Sequence, residues 1–123
     1  MPLNSVPPTT TRAGLRAKRE AARGRCHVDV VPWGGVVPDN VDALRLLHED
    51  GVPGFKCFLC DSGVAEFPAV GPEALERAAR ILAPLDTVLL AHAEDPAHLI
   101  DEAPSEPAER RSHARYLATR PER

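Results

Sequence analysis

The chain has 123 residues and a formal net charge of −3, with acids and bases intermixed, ordinary apolar content and few aromatics; this suits one domain and excludes the basic face that a nucleic-acid binder needs. No apolar run is long enough to span a membrane, and the opening MPLNSVPPTTTRAG lacks the apolar core of a signal peptide. Three cysteines, an odd and low number, fit a reducing cytoplasm better than a disulfide scaffold.

In chain order, SVPPTTT is extended and closes on hydroxyl residues suited to cap a helix. TRAGLRAKREAAR, Thr11 to Arg23, predicts a charged, Ala-rich helix with a thin apolar stripe, and Gly24 is placed to stop it. CHVDVVPW, Cys26 to Trp33, reads as a strand, with Gly34-Gly35 turning the chain. Asp39 or Asn40 is expected to cap a helix through VDALRLLHED, which Gly51 ends. GFKCFL, Gly54 to Leu59, reads as a short buried strand, and CDSGVAEFPAVG as a loop. Pro72 opens the helix PEALERAARILAPL, at the first-turn position where proline is tolerated. TVLLAHA, Thr87 to Ala93, is a third strand, and short helices are expected around Ala97–Glu102 and Pro107–Thr119.

Strands alternating with helices imply an α/β fold with right-handed crossovers and a parallel sheet. Three parallel strands make a poor independent sheet, because such sheets normally have both faces covered and here both edges would lie open. The pattern therefore reads as a slice of a larger βα barrel.

Lys56 stands inside the most apolar strand, where an unpaired charge is costly. As an edge-strand residue it would snorkel to solvent. The functional alternatives are a Schiff-base lysine, a general base, or a lysine carbamylated by CO2, which turns the cation into a carboxylate able to bridge two metals. Alternation puts Lys56 on one face with Phe58, and Phe55, Cys57 and Leu59 on the other. His92 ends its strand in LLAHAED, at the C-terminal edge where parallel α/β folds carry their chemistry. A histidine there is equally suited to a structural hydrogen bond.

Other clusters are weaker. Cys57-x-x-Cys60 lies at a strand end, whereas a redox pair normally opens a helix, and a structural zinc site would need Cys26 and His27 as well. His92-Ala93-Glu94 lacks the following P-C-x-x-C of a zinc deaminase. His27 and Asp29 share a strand face, which suits a polar environment better than a metal. His48, His98 and His113 fall on expected helices and read as solvated.

Taken together, MPLNSVPPTTT, GRCHVDVVPWGGVVPDN, GVPGFKCFL, SGVAEFP and LLAHAED resemble the allantoinases, cyclic amidohydrolases related to dihydroorotase and hydantoinase. The resemblance runs in order along nearly the whole chain and is weakest after Ala103. It implies a partial (β/α)8 TIM barrel of the metal-dependent hydrolase type, about three parallel strands with flanking helices, with residues 1–123 as a central segment of the barrel domain. A whole barrel takes roughly 250 residues. The implied reaction is hydrolysis of allantoin to allantoate in purine breakdown, by a metal-bound hydroxide. A dihydroorotase- or hydantoinase-type hydrolase of another cyclic amide, or a non-catalytic segment that pairs with another chain, are the alternatives.

By matching motifs, Lys56 resembles the carbamylated lysine that bridges two divalent metals, zinc by expectation, and His92 a histidine ligand of the second. Asn4 sits in a segment that approaches substrate in some relatives. The family's His-x-His pair, a further histidine and its catalytic aspartate have no counterpart here, so the isolated segment is expected to leave the metals unbound and to be inactive. The family also implies a small-molecule substrate, no nucleic-acid or membrane partner, a cytoplasmic location and homotetramers.

Overall fold

The Thr11 hydroxyl accepts the N–H of Gly14, and helix α1 (Arg12–Ala22) begins behind that cap. The structure, a computed structural model, describes residues 5–100 and 112–120; Asn4 lies outside the described residues. Only Gly14 and Leu15 of α1 are buried, so the helix leans on the core by a narrow stripe and leaves its charges in water.

The strand expected over Cys26–Trp33 does not form. Residues 26–33 have no regular structure, and Val28, Val30 and Val31 stay exposed. Strand β1 is instead Gly34–Gly35, the pair expected to turn the chain. The reason is space. A Cβ on Gly34 would lie 2.6 Å from the Phe55 ring, and one on Gly35 2.4 Å from the Phe67 ring. Two aromatic rings thus fill the volume that side chains on β1 would take, and only glycines let the backbone approach closely enough to pair.

The expected helix over residues 41–50 is shorter. A 3-10 turn (Val41–Ala43) leads into helix α2 (Leu44–Glu49). Asn40 does not cap it. Its buried carboxamide donates to the carbonyls of Thr10 (2.9 Å) and Gly35 (2.8 Å) and accepts from the N–H of Val37 (2.9 Å). One side chain therefore ties the stretch at Thr10 to the stretch at Gly35–Val37, beside the backbone bond from the Gly35 N–H to the Thr9 carbonyl. At the far end of α2, Asp50 accepts two bonds from the Arg12 guanidinium, at 2.5 and 2.7 Å. Hydrogen bonding to Arg12 holds this half-buried carboxyl below its usual range.

Strand β2 (Gly54–Phe58) is buried along its whole length. Helix α3 (Pro72–Leu82) starts on its proline and buries Ala74, Ala78 and Leu82, one residue per turn along one face. A 3-10 turn (Ala83–Leu85) leads to strand β3 (Val88–His92). The sheet runs β1-β2-β3, all parallel, with Gly35 opposite Lys56 and Phe58 opposite His92. The main core gathers Leu15, Val36, Leu44, Leu47, Phe55, Cys57, Ala78 and Leu82 on the face bearing Phe55 and Cys57. Each large apolar side chain among them contributes roughly 1.5–3 kcal/mol when fully buried. A second cluster, Val37, Phe58 and Phe67 with Val64, lies with the opposite face of β2.

The chain divides by its contacts into two units, Met1–Ala93 and Glu94–Arg123. The second has a 3-10 turn (Pro96–His98) and helix α4 (His113–Ala118), which falls within the helix expected over Pro107–Thr119. Residues 101–111 lie outside the described ones. Glu94, one of the two acids after His92, accepts from Arg120 (3.0 and 2.6 Å) and from the Tyr116 hydroxyl (3.1 Å). Among the described residues no helix is long and apolar enough to cross a membrane.

Candidate active site

In register, Lys56 pairs with Leu90 and Phe58 with His92. Partners in a parallel ladder point to the same side, and so do residues two apart on a strand. Lys56, Phe58, Leu90 and His92 therefore share one face, away from the main core. The two residues singled out by the sequence, Lys56 and His92, are brought together there. Asn4 is not described.

Lys56 is not an edge residue. It stands on the central strand and is only 8% exposed, which overturns the snorkelling alternative. Its Nζ lies 4.7 Å from the centroid of the Phe58 ring, a cation–π contact. Among the described residues no carboxylate pairs with it. His92 ends β3, exposed, and its imidazole stacks on Phe58 with centroids 5.5 Å apart and planes 21° from parallel. Phe58 is thus the surface against which both side chains lie.

After β2 the chain doubles back over this face. The Leu59 N–H donates to the His92 carbonyl and the Val70 N–H to the Phe58 carbonyl, both beyond the regular ladder. Between them, the Gly63 N–H donates to the Asp61 carboxylate, and the Ser62 hydroxyl donates to the carbonyls of Val64 and Phe67. That turn delivers the Phe67 ring edge-on to Phe58, at 5.4 Å and 81°. The sequence showed Phe58 on the face of Lys56 but gave no sign of Phe67, because a loop aromatic has no periodicity to betray its burial.

The cysteines form no second site. All three are free thiols: Cys26 exposed, Cys60 partly buried, Cys57 buried in the main core. Burial pushes the Cys57 thiol up, against a smaller downward pull from Lys56. A disulfide-exchange reagent should label Cys26 first and Cys60 next, and should reach Cys57 only after unfolding. Mass spectrometry of timed samples checks the order, and Cys57 reacting at the rate of Cys26 would refute the burial account.

No group of three or more His, Cys, Asp or Glu able to hold a metal occurs among the described residues. His27 and Asp29 lie in the exposed, irregular segment and do not share a strand face. What the face offers is one lysine and one histidine against a common ring. These fit part of a metal site and do not complete one.

No family model matches the chain. It is 50% identical to the allantoinase of Streptomyces avermitilis over 121 residues, covering 98% of this chain and 26% of that protein. It is 46% identical to the allantoinase of Saccharomyces cerevisiae, over 99% of this chain and 26% of that protein. By sequence, the chain resembles a segment of the allantoinases. It spans about a quarter of their length. An L-hydantoinase (dihydropyrimidinase) from Arthrobacter aurescens superposes with a TM-score of 0.72 at 33% identity, over 77% of this chain and 21% of that one. The three parallel strands and their helices in this allantoinase-like chain are accordingly a segment of the TIM-barrel amidohydrolase fold.

Proposed function

We propose that this chain is part of a cyclic amidohydrolase that opens allantoin to allantoate, with Lys56 and His92 as its contribution to the site. The observation that carries this reading is their shared face: the two motif residues of an allantoinase-like sequence converge on one aromatic ring. Lys56, carbamylated on Nζ, and His92 would hold divalent metals, with zinc the first choice for an imidazole and a carboxylate-like oxygen. When bound, such ions act as Lewis acids and lower the pKa of water.

This chain's own residues do the rest. Lys56 is buried on the central strand with no carboxylate partner among the described residues, so a carbamate on Nζ with metal partners would give this polar end the partners it lacks. The Phe58 ring shields the same atom from bulk water. Substrate is then a neutral, polar ring, for which the face needs no charged recognition groups. The unpaired thiols support a cytoplasmic location.

The test is a chimera in which this chain replaces the matching segment of the Streptomyces avermitilis allantoinase, assayed for allantoate from allantoin. Turnover is expected, with loss of at least about a hundredfold in Lys56→Ala and His92→Ala, the upper end for groups supporting a metal. Undiminished turnover in Lys56→Ala would sink the assignment. The chain alone, supplied with zinc and bicarbonate, is expected to give no turnover, since two protein donors fall short of the three that a catalytic zinc needs.

A further inference from the structure

We propose that Phe58 and Phe67 form a positioning pair, which holds the Lys56 side chain and the His92 imidazole in a fixed relation; the proposal rests on reading those two residues as a ligand pair. A lysine side chain has four rotatable bonds, and His92 sits exposed on an edge strand, with no further strand beside it among the described residues. Left to themselves, both would sample several rotamers and seldom present their donor atoms together.

The Phe58 ring limits that freedom. It lies 4.7 Å from Lys56 Nζ and stacks with His92 at 5.5 Å, so one planar surface sets the direction of both groups. Phe58 must itself be held, and Phe67 does this from the loop. Its ring meets Phe58 edge to face at 5.4 Å and is 7% exposed. Phe67 in turn has two supports. Its carbonyl accepts the Ser62 hydroxyl at 2.7 Å, and the space for its ring exists because residue 35 is glycine. The segment SGVAEFP, which marks the resemblance but supplies no donor to a metal, thereby gains a role: it carries the buttress of the ligand pair.

The experiment is NMR of the full chain with carbon-13-labelled lysine and histidine. In the wild type, the Lys56 ε-methylene and His92 ring resonances should be displaced by the Phe58 ring current, and the two ε-protons should be distinct. Phe58→Leu should remove the displacement at both residues, and Phe58→Tyr should restore it. Phe67→Leu keeps the Phe58 ring, yet should shrink the displacement and merge the ε-protons, because Phe58 is no longer held. Circular dichroism checks that each variant is folded, and Phe67→Met, closer in volume, decides if Phe67→Leu is not.

A zinc titration of the allantoinase chimera, which supplies the remaining donors, followed at His92, completes the test. Phe67→Leu should weaken zinc binding roughly tenfold, as loss of a supporting residue does. Wild-type resonances at Lys56 and His92 in a folded Phe67 variant would overturn the positioning pair. A chimera carrying the wild-type segment whose His92 signals ignore zinc would instead overturn the ligand reading, and the ring-current comparison would still decide the pair.

Discussion

Asn40→Asp is expected to destabilise the first unit by about 3–5 kcal/mol at neutral pH, the cost of a buried charge without its partner. Asn40 is 8% exposed, and its two donated bonds end on the carbonyl oxygens of Thr10 and Gly35. A carboxylate there can still accept from Val37 but faces two acceptors with no proton to offer. The loss is large against the roughly 5–15 kcal/mol that hold a typical domain. The pH dependence distinguishes this cause from poor packing. Repulsion by the carbonyls raises the folded-state pKa of the new acid above its ordinary value of about 3.9. The penalty is then absent below that value, grows as pH rises, and is complete above the raised folded pKa. Urea melts of Asn40→Asp and Asn40→Ala across pH read this directly. An Asn40→Asp deficit that does not change with pH would remove the electrostatic explanation.

Phe55→Ala should cost a similar amount, about 3–5 kcal/mol, because a fully buried ring leaves a cavity as well as losing its transfer energy. A more specific result is expected from Gly34. Its missing Cβ would lie 2.6 Å from the Phe55 ring and 3.1 Å from Val52, so Gly34→Ala should destabilise by about 1–3 kcal/mol through overpacking. Combined with Phe55→Leu, which withdraws the ring edge, the penalty of Gly34→Ala should shrink, with a coupling of about 0.5–3 kcal/mol. A double-mutant cycle in urea measures it. Strict additivity would mean that the glycine is needed for its backbone freedom and not for the ring.

The parts of the fold that were legible in the sequence are those set by local chemistry. Thr11 caps its helix, Pro72 opens another, and the apolar runs at Gly54 and Val88 are strands. The likeness to the allantoinases and the pairing of Lys56 with His92 on one face were legible too, through motifs and period-2 alternation. Cys26–Trp33 misled because alternation shows that a segment could be a strand, not that a partner or a buried face awaits it. Gly34–Gly35 looked like a turn because its strand role depends on rings twenty or more residues away. Asn40 reads as a helix cap until the carbonyls of Thr10 and Gly35 are known to be within reach. Phe67 was hidden for the same reason: its value lies in a contact with Phe58 across the irregular chain of residues 59–66.

The ladder register has a consequence for depth. His92 is level with Phe58, whereas Lys56 is level with Leu90, two residues lower along the strands. At roughly 3.3 Å per residue, the Lys56 backbone lies about 6–7 Å below that of His92. Four methylenes span this drop and bring Nζ up beside the ring that His92 touches. An aspartate or glutamate at position 56, with a shorter side chain, would stop short of that level. The length of the lysine is therefore part of what this strand supplies: it lets a group rooted in the dry floor of the sheet reach its rim.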